Sequence, residues 1–231
     1  MTLRYLGCVM GMLATAPALA QGSSPVHDTT LATPGTTPII AEMWVDNWFR
    51  LYANGKALIE DSVPLTTERS FNAERVTFNA DLPLTLAFEF RDFMQNDTGL
   101  EYIGTDHQQM GDGGAIAQFR DAATGDLLAV TDAGWHCQVI QQAPLSDACA
   151  DLANPVAGEG DCAAIVTAVA PDWVAPAFDD STWPAATTHS ARSVGPKDGY
   201  DQIDWVPQSA FIWGPDLHRD NVVLCRTTIS R

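Results

Sequence analysis

The stretch GDGGAIAQFRDAATGDLLAVTDAGW, residues 111–135, decides the fold. Two apolar runs, Ala115–Phe119 and Leu127–Val130, flank a polar segment that contains Gly125. Glycine there can adopt the positive φ angle that a tight reversal needs. This pattern predicts a β-hairpin. Trp135 follows the hairpin, and so large a ring needs a core to pack against.

Short strand-like segments make up most of the remaining chain. The Asn54-Gly55 turn is a strong hairpin signal, and no segment shows a helical period longer than about three turns. Many short strands separated by turns predict an all-β domain, a sandwich or a barrel. Besides the two hairpin strands, the predicted strands are Ile39–Val45, Trp48–Ala53, Lys56–Ile59, Arg75–Phe78, Leu82–Phe90, Cys137–Ile140, Ala210–Trp213 and Asn221–Ile229.

The first twenty residues have the pattern of a secretory signal peptide. Arg4 precedes the apolar run Leu6–Leu13, and the small residues of Ala18-Leu19-Ala20 suit cleavage after Ala20. The run is too short to span a bilayer, so we expect a secreted or periplasmic protein without membrane insertion. Residues 21–38, rich in Ser, Thr, Pro and Gly, predict a flexible N-terminus, and residues 39–231 a single domain.

The chain is strongly acidic, with a net charge of −17 at pH 7. Nucleic acids and anionic membranes are polyanions, so this charge disfavours both as partners. Two explanations of the acidic residues stay open at this point. They can form a solvated acidic surface, or some of them can bind Ca²⁺.

Four cysteines follow the predicted signal peptide, and an even number in an exported chain indicates two disulfides. Three pairings are possible. Cys149 and Cys162 bracket a Gly/Asp/Pro-rich part of the long loop 141–177, and Cys137 and Cys225 each lie in an apolar strand-like run. We therefore favour Cys149–Cys162 and Cys137–Cys225. A zinc site is the rival interpretation, but the spacings fit no common zinc motif.

Four segments, in order, resemble the galactose-binding-like domains that accompany rhamnosidases and β-galactosidases. VDNWFRLYANGKAL (45–58) is similar to the strand–turn–strand D-N-x-x-x-L-Y-V-N-G-K of those domains. GGAIAQF with VTDAGW (113–135) resembles G-x-I-A-x-L … T-D-x-S-W, and FDDSTWPAA (178–186) resembles F-D-D-S-x-W-x-x-A. FIWGPDLHRDNVVLCRTTI (211–229) is similar to the closing strands.

The resemblance implies a jelly-roll β-sandwich over residues 39–231. Some domains of this kind bind sugar and many only support a catalytic neighbour, so it also implies a glycan or cell-surface polysaccharide as partner. Domains of this kind often bind one structural Ca²⁺, so the resemblance also implies a bound calcium ion. The chain departs from the pattern in its cysteine loop and in the acidic segment 92–112, and fold alone does not fix function.

Aromatic residues in loops are candidates for stacking on a sugar ring. Trp173 and Trp205 lie in predicted loops beside acidic residues, whereas Trp44, Trp135, Trp183 and Trp213 lie in strand or motif contexts and are expected in the core. The predicted ligand-binding residues are therefore Trp173, Tyr200, Asp204 and Trp205.

The segment Arg91–Gly114 carries clustered carboxylates, the ligands that Ca²⁺ prefers. Their spacing does not match an EF-hand loop, so the alternative is a solvated acidic loop. The predicted metal ligands are Asp97, Glu101, Asp106 and Asp112.

No motif for a catalytic nucleophile is present, since the chain lacks G-x-S-x-G and any H-x-x-x-H or H-x-H spacing. No catalytic residue is therefore assigned. We expect a non-catalytic carbohydrate-binding or adhesion-type module. The alternatives are a structural or assembly protein of the cell surface, and a small metal-dependent hydrolase with its site in residues 92–112.

Overall fold

The structure, a computed structural model, describes residues 26–65 and 72–230. The predicted signal peptide lies outside the described residues. The strands are β1 (His27–Thr30), β2 (Thr37–Asp46), β3 (Trp48–Ala53), β4 (Lys56–Glu60), β5 (Ala73–Ala80), β6 (Leu84–Arg91), β7 (Leu100–Glu101), β8 (Gln109–Met110), β9 (Gly114–Asp121), β10 (Leu127–Val130), β11 (His136–Gln142), β12 (Ile165–Val166), β13 (Thr187–His189), β14 (Phe211–Trp213) and β15 (Asp220–Ile229).

Helical structure in these residues is confined to short segments. Helix α1 (Ala191–Val194) is one turn long, and 3₁₀ helices span Asp147–Asp151, Gly160–Cys162 and Tyr200–Gln202. None of the helices in the part of the chain that the structure describes is long and apolar enough to cross a membrane.

Two large sheets form the domain. One has the strand order β1-β5-β2-β9-β14-β13, with β10 also paired to β9, and the other has the order β12-β11-β15-β6-β3-β4. The short strands β7 and β8 form a separate ribbon. All pairs are antiparallel except β1 with β5. The expectation of an all-β chain is therefore confirmed.

The core lies between the two sheets, because alternate side chains of each strand point to opposite faces. On β6, Phe88 and Phe90 belong to the central apolar cluster, whereas Ala87 packs on the outer face. Trp135 and Trp213 are also in the central cluster, at 1% and 0% exposure. The two sheets thus share one apolar core, as in a β-sandwich.

The hairpin predicted from residues 111–135 is confirmed. Strands β9 and β10 pair antiparallel, and the Asp121 and Asp126 backbones close the turn between them. The Asn54-Gly55 turn is also present, with positive φ at both residues. Strand β1, however, lies within residues 21–38, so this part of the segment is held in a sheet rather than being the flexible tail that the sequence predicts.

The outer face of the six-stranded sheet is covered by residues 170–183. Trp173 and Trp183 pack there against Ala87 and Leu224. Arg226, 3% exposed on β15, donates to the Trp173 carbonyl and forms a 2.8 Å ion pair with the Asp180 carboxylate. A charged group buried at this depth needs such partners. This network therefore fixes the covering segment to the sheet.

The outer face of the seven-stranded sheet is covered by the chain between α1 and β14. Trp44, Ile116 and Phe211 project outward from three neighbouring strands and form a second apolar cluster. Tyr200 packs against this cluster, edge-on to Trp44.

Both predicted disulfides are confirmed. Cys137 on β11 lies directly opposite Cys225 on β15, and the bond joins them within the six-stranded sheet. The Cys149–Cys162 bond closes part of the long loop 141–177, which holds two 3₁₀ helices and, beyond Cys162, the unpredicted strand β12. The first bond spans 88 residues of sequence and the second spans 13.

Because closing a longer loop removes more entropy from the unfolded chain, we expect the two disulfides to contribute unequally. Replacing Cys137 and Cys225 by alanine should lower the free energy of unfolding by about 4.5 kcal/mol, and replacing Cys149 and Cys162 by about 3 kcal/mol. Denaturant titration without reductant measures both. Equal losses in the two double variants would contradict the expectation.

Candidate functional site

Three carboxylates meet at one end of the sandwich. Asp46 is the last residue of β2, Asp92 directly follows β6, and Asp112 lies between β8 and β9. Each offers an oxygen, and these oxygens all lie within 4.8 Å of one another. The two sheets come together here, since the Asn47 N–H donates to the carbonyl of Arg91. We call Asp46, Asp92 and Asp112 the carboxylate cluster.

The backbone before β9 is shaped to fit against this cluster. A Cβ atom on Gly111 would lie 1.7 Å from Asp92 Oδ2, so no other residue fits there without displacing that carboxylate. The Gly111 carbonyl is held by a 2.8 Å hydrogen bond to His218 Nδ1. The Gly113 N–H donates to the carbonyl of Leu217. The chain from 214 to 220 thereby positions the glycine segment.

Asp46 and Asp92 are both 0% exposed. None of their four carboxylate oxygens accepts a hydrogen bond of ordinary geometry from any residue that the structure describes. Buried polar groups in native proteins nearly always have partners, and a buried ionised carboxylate without one is costly. These oxygens face one another across the cluster, so they need a proton or a cation.

Burial raises the pKa of both inner carboxyl groups well above their usual range. The charge of Asp112 raises the pKa of Asp46 further, and the charges of Asp46, Glu101 and Asp112 do the same for Asp92. Lys197 and the Asn47 side chain partly offset this rise in pKa for Asp46, and the Phe93 backbone N–H partly offsets it for Asp92. Ionisation of both inner carboxyl groups is therefore disfavoured unless a further positive charge is present.

Lys197 lies at the outer side of the cluster. Its Nζ is 3.1 Å from Asp112 Oδ2 and 4.0 Å from Asp46 Oδ2, and its side chain is 45% exposed. Burial by itself would lower the pKa of Lys197, but the charges of Asp46 and Asp112 raise it overall. The ammonium group is thus a partial counter-ion for the carboxylates.

The donor set fits a hard divalent cation. Ca²⁺ takes six to eight oxygens at roughly 2.3–2.6 Å, so ligands on opposite sides of the ion are roughly 5 Å apart. The three cluster oxygens fall within that spacing, and the unpartnered oxygens of Asp46 and Asp92 are aimed into it. Carboxylates without nitrogen or sulfur donors favour Ca²⁺ or Mg²⁺ over zinc.

Of the four metal ligands predicted from the sequence, the structure places two in or near the carboxylate cluster and two outside it. Asp112 belongs to the cluster, and Glu101, which is 4% exposed, lies near enough to raise the pKa of both buried carboxyl groups. Asp97 and Asp106 are exposed and lie outside the cluster. Their exposure suits the solvated acidic loop that was the alternative interpretation.

Asp92 is the first residue of the acidic segment 92–112 but was not among its predicted ligands, and Asp46 lies far from that segment in sequence. Asp46 ends a ten-residue apolar strand, and Asp92 directly follows another. A signal for each was present, since a lone aspartate at the end of a buried run has no solvent to face. Only the pairing of both sheets shows that the two strand ends meet.

An aromatic hollow lies on the outer face of the seven-stranded sheet. It has a volume of about 340 Å³ and is lined in part by His189, Tyr200, Trp205 and Pro207. The Tyr200 and Trp205 rings stack at 5.8 Å between centroids, and Trp205 Nε1 donates to the Tyr200 carbonyl. Two half-buried rings of fixed orientation therefore border the hollow.

The hollow brings together only part of the predicted ligand-binding set. Tyr200 and Trp205 line it, and Asp204 is the exposed neighbour of Trp205. Trp173 is on the opposite outer face, where it is 9% exposed and stacks on Trp183. It therefore does not lie beside the other three residues, because its ring completes the cover of the other sheet.

No protein-family model, no curated protein and no solved structure matches this chain. Conclusions about function therefore depend on the geometry of the carboxylate cluster and of the aromatic hollow.

The space beside Gly111 yields a test of the cluster's packing. Gly111→Ala should lower the free energy of unfolding by about 1–3 kcal/mol, because the new methyl group overlaps the buried Asp92 carboxylate. Gly134→Ala is the matched control, since its Cβ would touch only the movable end of Asp132 at 3.0 Å. Urea titration compares the two. A control loss as large as that of Gly111→Ala would refute the packing argument.

Proposed function

We propose that this chain is a secreted, non-catalytic β-sandwich module that binds carbohydrate in the aromatic hollow and Ca²⁺ in the carboxylate cluster. We further propose that the two sheets form a galactose-binding-like jelly roll. The four motifs that suggest this family fall on strands β3, β9, β10, β14 and β15, on the turns beside them, and on part of the segment that covers the six-stranded sheet. Two disulfides support export, because such bonds persist in oxidising compartments.

The observation that carries the carbohydrate proposal is the stacked pair Tyr200–Trp205 at the hollow. The volume of the hollow, about 340 Å³, is at the lower end of the range for small-molecule sites. Aromatic rings offer a flat apolar surface for the C–H face of a sugar.

A glycan array, followed by calorimetry on the best ligand, tests carbohydrate binding. Trp205→Ala should weaken binding about tenfold or more, because it removes one wall of the hollow. Phe178→Ala on the opposite outer face is the control and should leave the affinity unchanged. Failure to bind any neutral or acidic glycan, with and without Ca²⁺, would contradict the proposal.

The two alternatives predict different results. A structural or assembly protein of the cell surface would self-associate in size-exclusion chromatography or form filaments without any glycan. A metal-dependent hydrolase is favoured only by the carboxylate cluster. Asp46 and Asp92 are 0% exposed, whereas Asp112 and Lys197 reach solvent, so a substrate would meet only the outer side of the cluster. This burial favours a stabilising ion over a catalytic one.

Calcium should raise the stability of the wild-type chain, by about 2.7 kcal/mol when the ion is present at one hundred times its dissociation constant. Asp92→Asn should abolish this response. In EDTA at neutral pH it should be more stable than the wild type, because it removes a buried carboxyl group whose pKa the fold raises and which is ionised in the unfolded chain. Thermal unfolding in CaCl₂ and in EDTA measures both effects.

Asp106→Asn is the matched control, since it changes an exposed aspartate of the same segment. It should respond to calcium as the wild type does. The cation proposal fails if millimolar calcium leaves the wild-type unfolding temperature unchanged, or if Asp106→Asn loses the response as completely as Asp92→Asn.

A further inference from the structure

Lys197 is paired with the carboxylate cluster at the solvent side of the site. Its ammonium group faces two oxygens of the carboxylate cluster, Asp112 Oδ2 at 3.1 Å and Asp46 Oδ2 at 4.0 Å. The side chain is 45% exposed, whereas Asp46 is fully buried. Lys197 is therefore the outermost charged group of the site, between the buried carboxylates and water.

One ammonium group does not satisfy this site. Asp46, Asp92 and Asp112 together offer up to three negative charges, and Glu101 lies near enough to add its own to their field. The oxygens of Asp92 are reached by no donor of ordinary geometry in the described residues. A divalent ion carries twice the charge of the ammonium and is small enough to contact several of these oxygens at once. It would therefore satisfy the cluster better than Lys197 does.

The ammonium and a bound divalent ion would compete for the same carboxylates. An ion within bonding distance of Asp46 and Asp112 would lie within a few ångströms of the present Nζ position, where like charges repel strongly in a site of low dielectric. The lysine head can leave without any change in the backbone, because its four-carbon stem is flexible and its outer part already reaches water.

The backbone beside Lys197 is fixed. Trp44 Nε1 donates a 3.0 Å hydrogen bond to the Asp198 carbonyl, and Gly199 packs so tightly that a Cβ there would lie 2.6 Å from the Ala73 nitrogen. A change at the site is therefore confined to the Lys197 side chain.

We propose that Lys197 is an exchangeable internal counter-ion, which occupies the mouth of the carboxylate cluster until a divalent cation enters and displaces its ammonium group into water. The inference rests on the cation site proposed above. It adds that cation binding and exposure of the Lys197 amine are coupled.

The chain offers a built-in control for this exchange, because it contains only two lysines, Lys56 and Lys197. Lys56 is an exposed residue at the start of β4. It pairs with Ala53, which lies opposite Leu86 near the start of β6, whereas Asp92 follows the other end of that strand. The folded wild-type protein is treated with a limiting amount of acetic anhydride in CaCl₂ or in EDTA at equal ionic strength. Mass spectrometry of the digested protein then gives the acetylation rate of each lysine, and calorimetry gives calcium binding.

We expect calcium to raise the acetylation rate of Lys197 severalfold and to leave the rate at Lys56 unchanged. Calcium binding with an unchanged Lys197 rate would overturn the exchange but leave the cation site intact. Absence of calcium binding in calorimetry would overturn both. An equal rise at both lysines would show a general effect of calcium on the reagent or the protein, and would also overturn the exchange.

Substitutions give a second measurement. Lys197→Met, which keeps the stem but removes the charge, should raise calcium affinity by about tenfold or more, because the ion no longer displaces an ammonium group. Lys56→Met removes the other lysine charge away from the cluster and should match the wild-type affinity. A Lys197→Met variant with unchanged or weaker calcium affinity would refute the competition.

Discussion

The carboxylate cluster depends on the close approach of the glycine segment before β9 to Asp92 and Trp213. Gly111 lies against the Asp92 carboxylate, and a Cβ on Gly113 would lie 2.4 Å from the Trp213 ring. Trp213 in turn stacks on Phe90 within the core and donates from Nε1 to the Asp220 carbonyl. The same few residues thus close the core at one end and hold three aspartates together there.

The two outer faces of the sandwich are built by different means. On the six-stranded sheet, buried Arg226 binds the covering segment through the Asp180 carboxylate and backbone carbonyls. On the seven-stranded sheet, the cover is aromatic and rests on Trp44 and Phe211. The charged network excludes water and leaves its aromatic rings enclosed. The aromatic cover leaves Tyr200 and Trp205 half-buried and stacked beside a hollow, so this face presents a pair of rings to a ligand.

Charge is distributed unevenly over the acidic chain. Exposed carboxylates such as Asp97 and Asp106 are solvated and need no partner. Asp46 and Asp92 have lost their solvent, so their charge must be neutralised locally by a proton, by Lys197 or by a cation. A net charge of −17 is thus a poor guide to the site, because it counts solvated and buried carboxylates alike.

The sequence by itself determined the all-β class, the hairpin at residues 111–135 and both disulfide pairs, because each depends on local periodicity, turn chemistry or compartment. It also indicated one member of the carboxylate cluster, Asp112, and its neighbour Glu101. Only the tertiary structure decided that Asp46 and Asp92 belong with them, and that Trp173 does not lie beside Trp205. These two spatial arrangements depend on which strand ends meet and on which sheet each loop covers. The residues concerned are far apart along the chain, so their contacts leave no local pattern in the sequence.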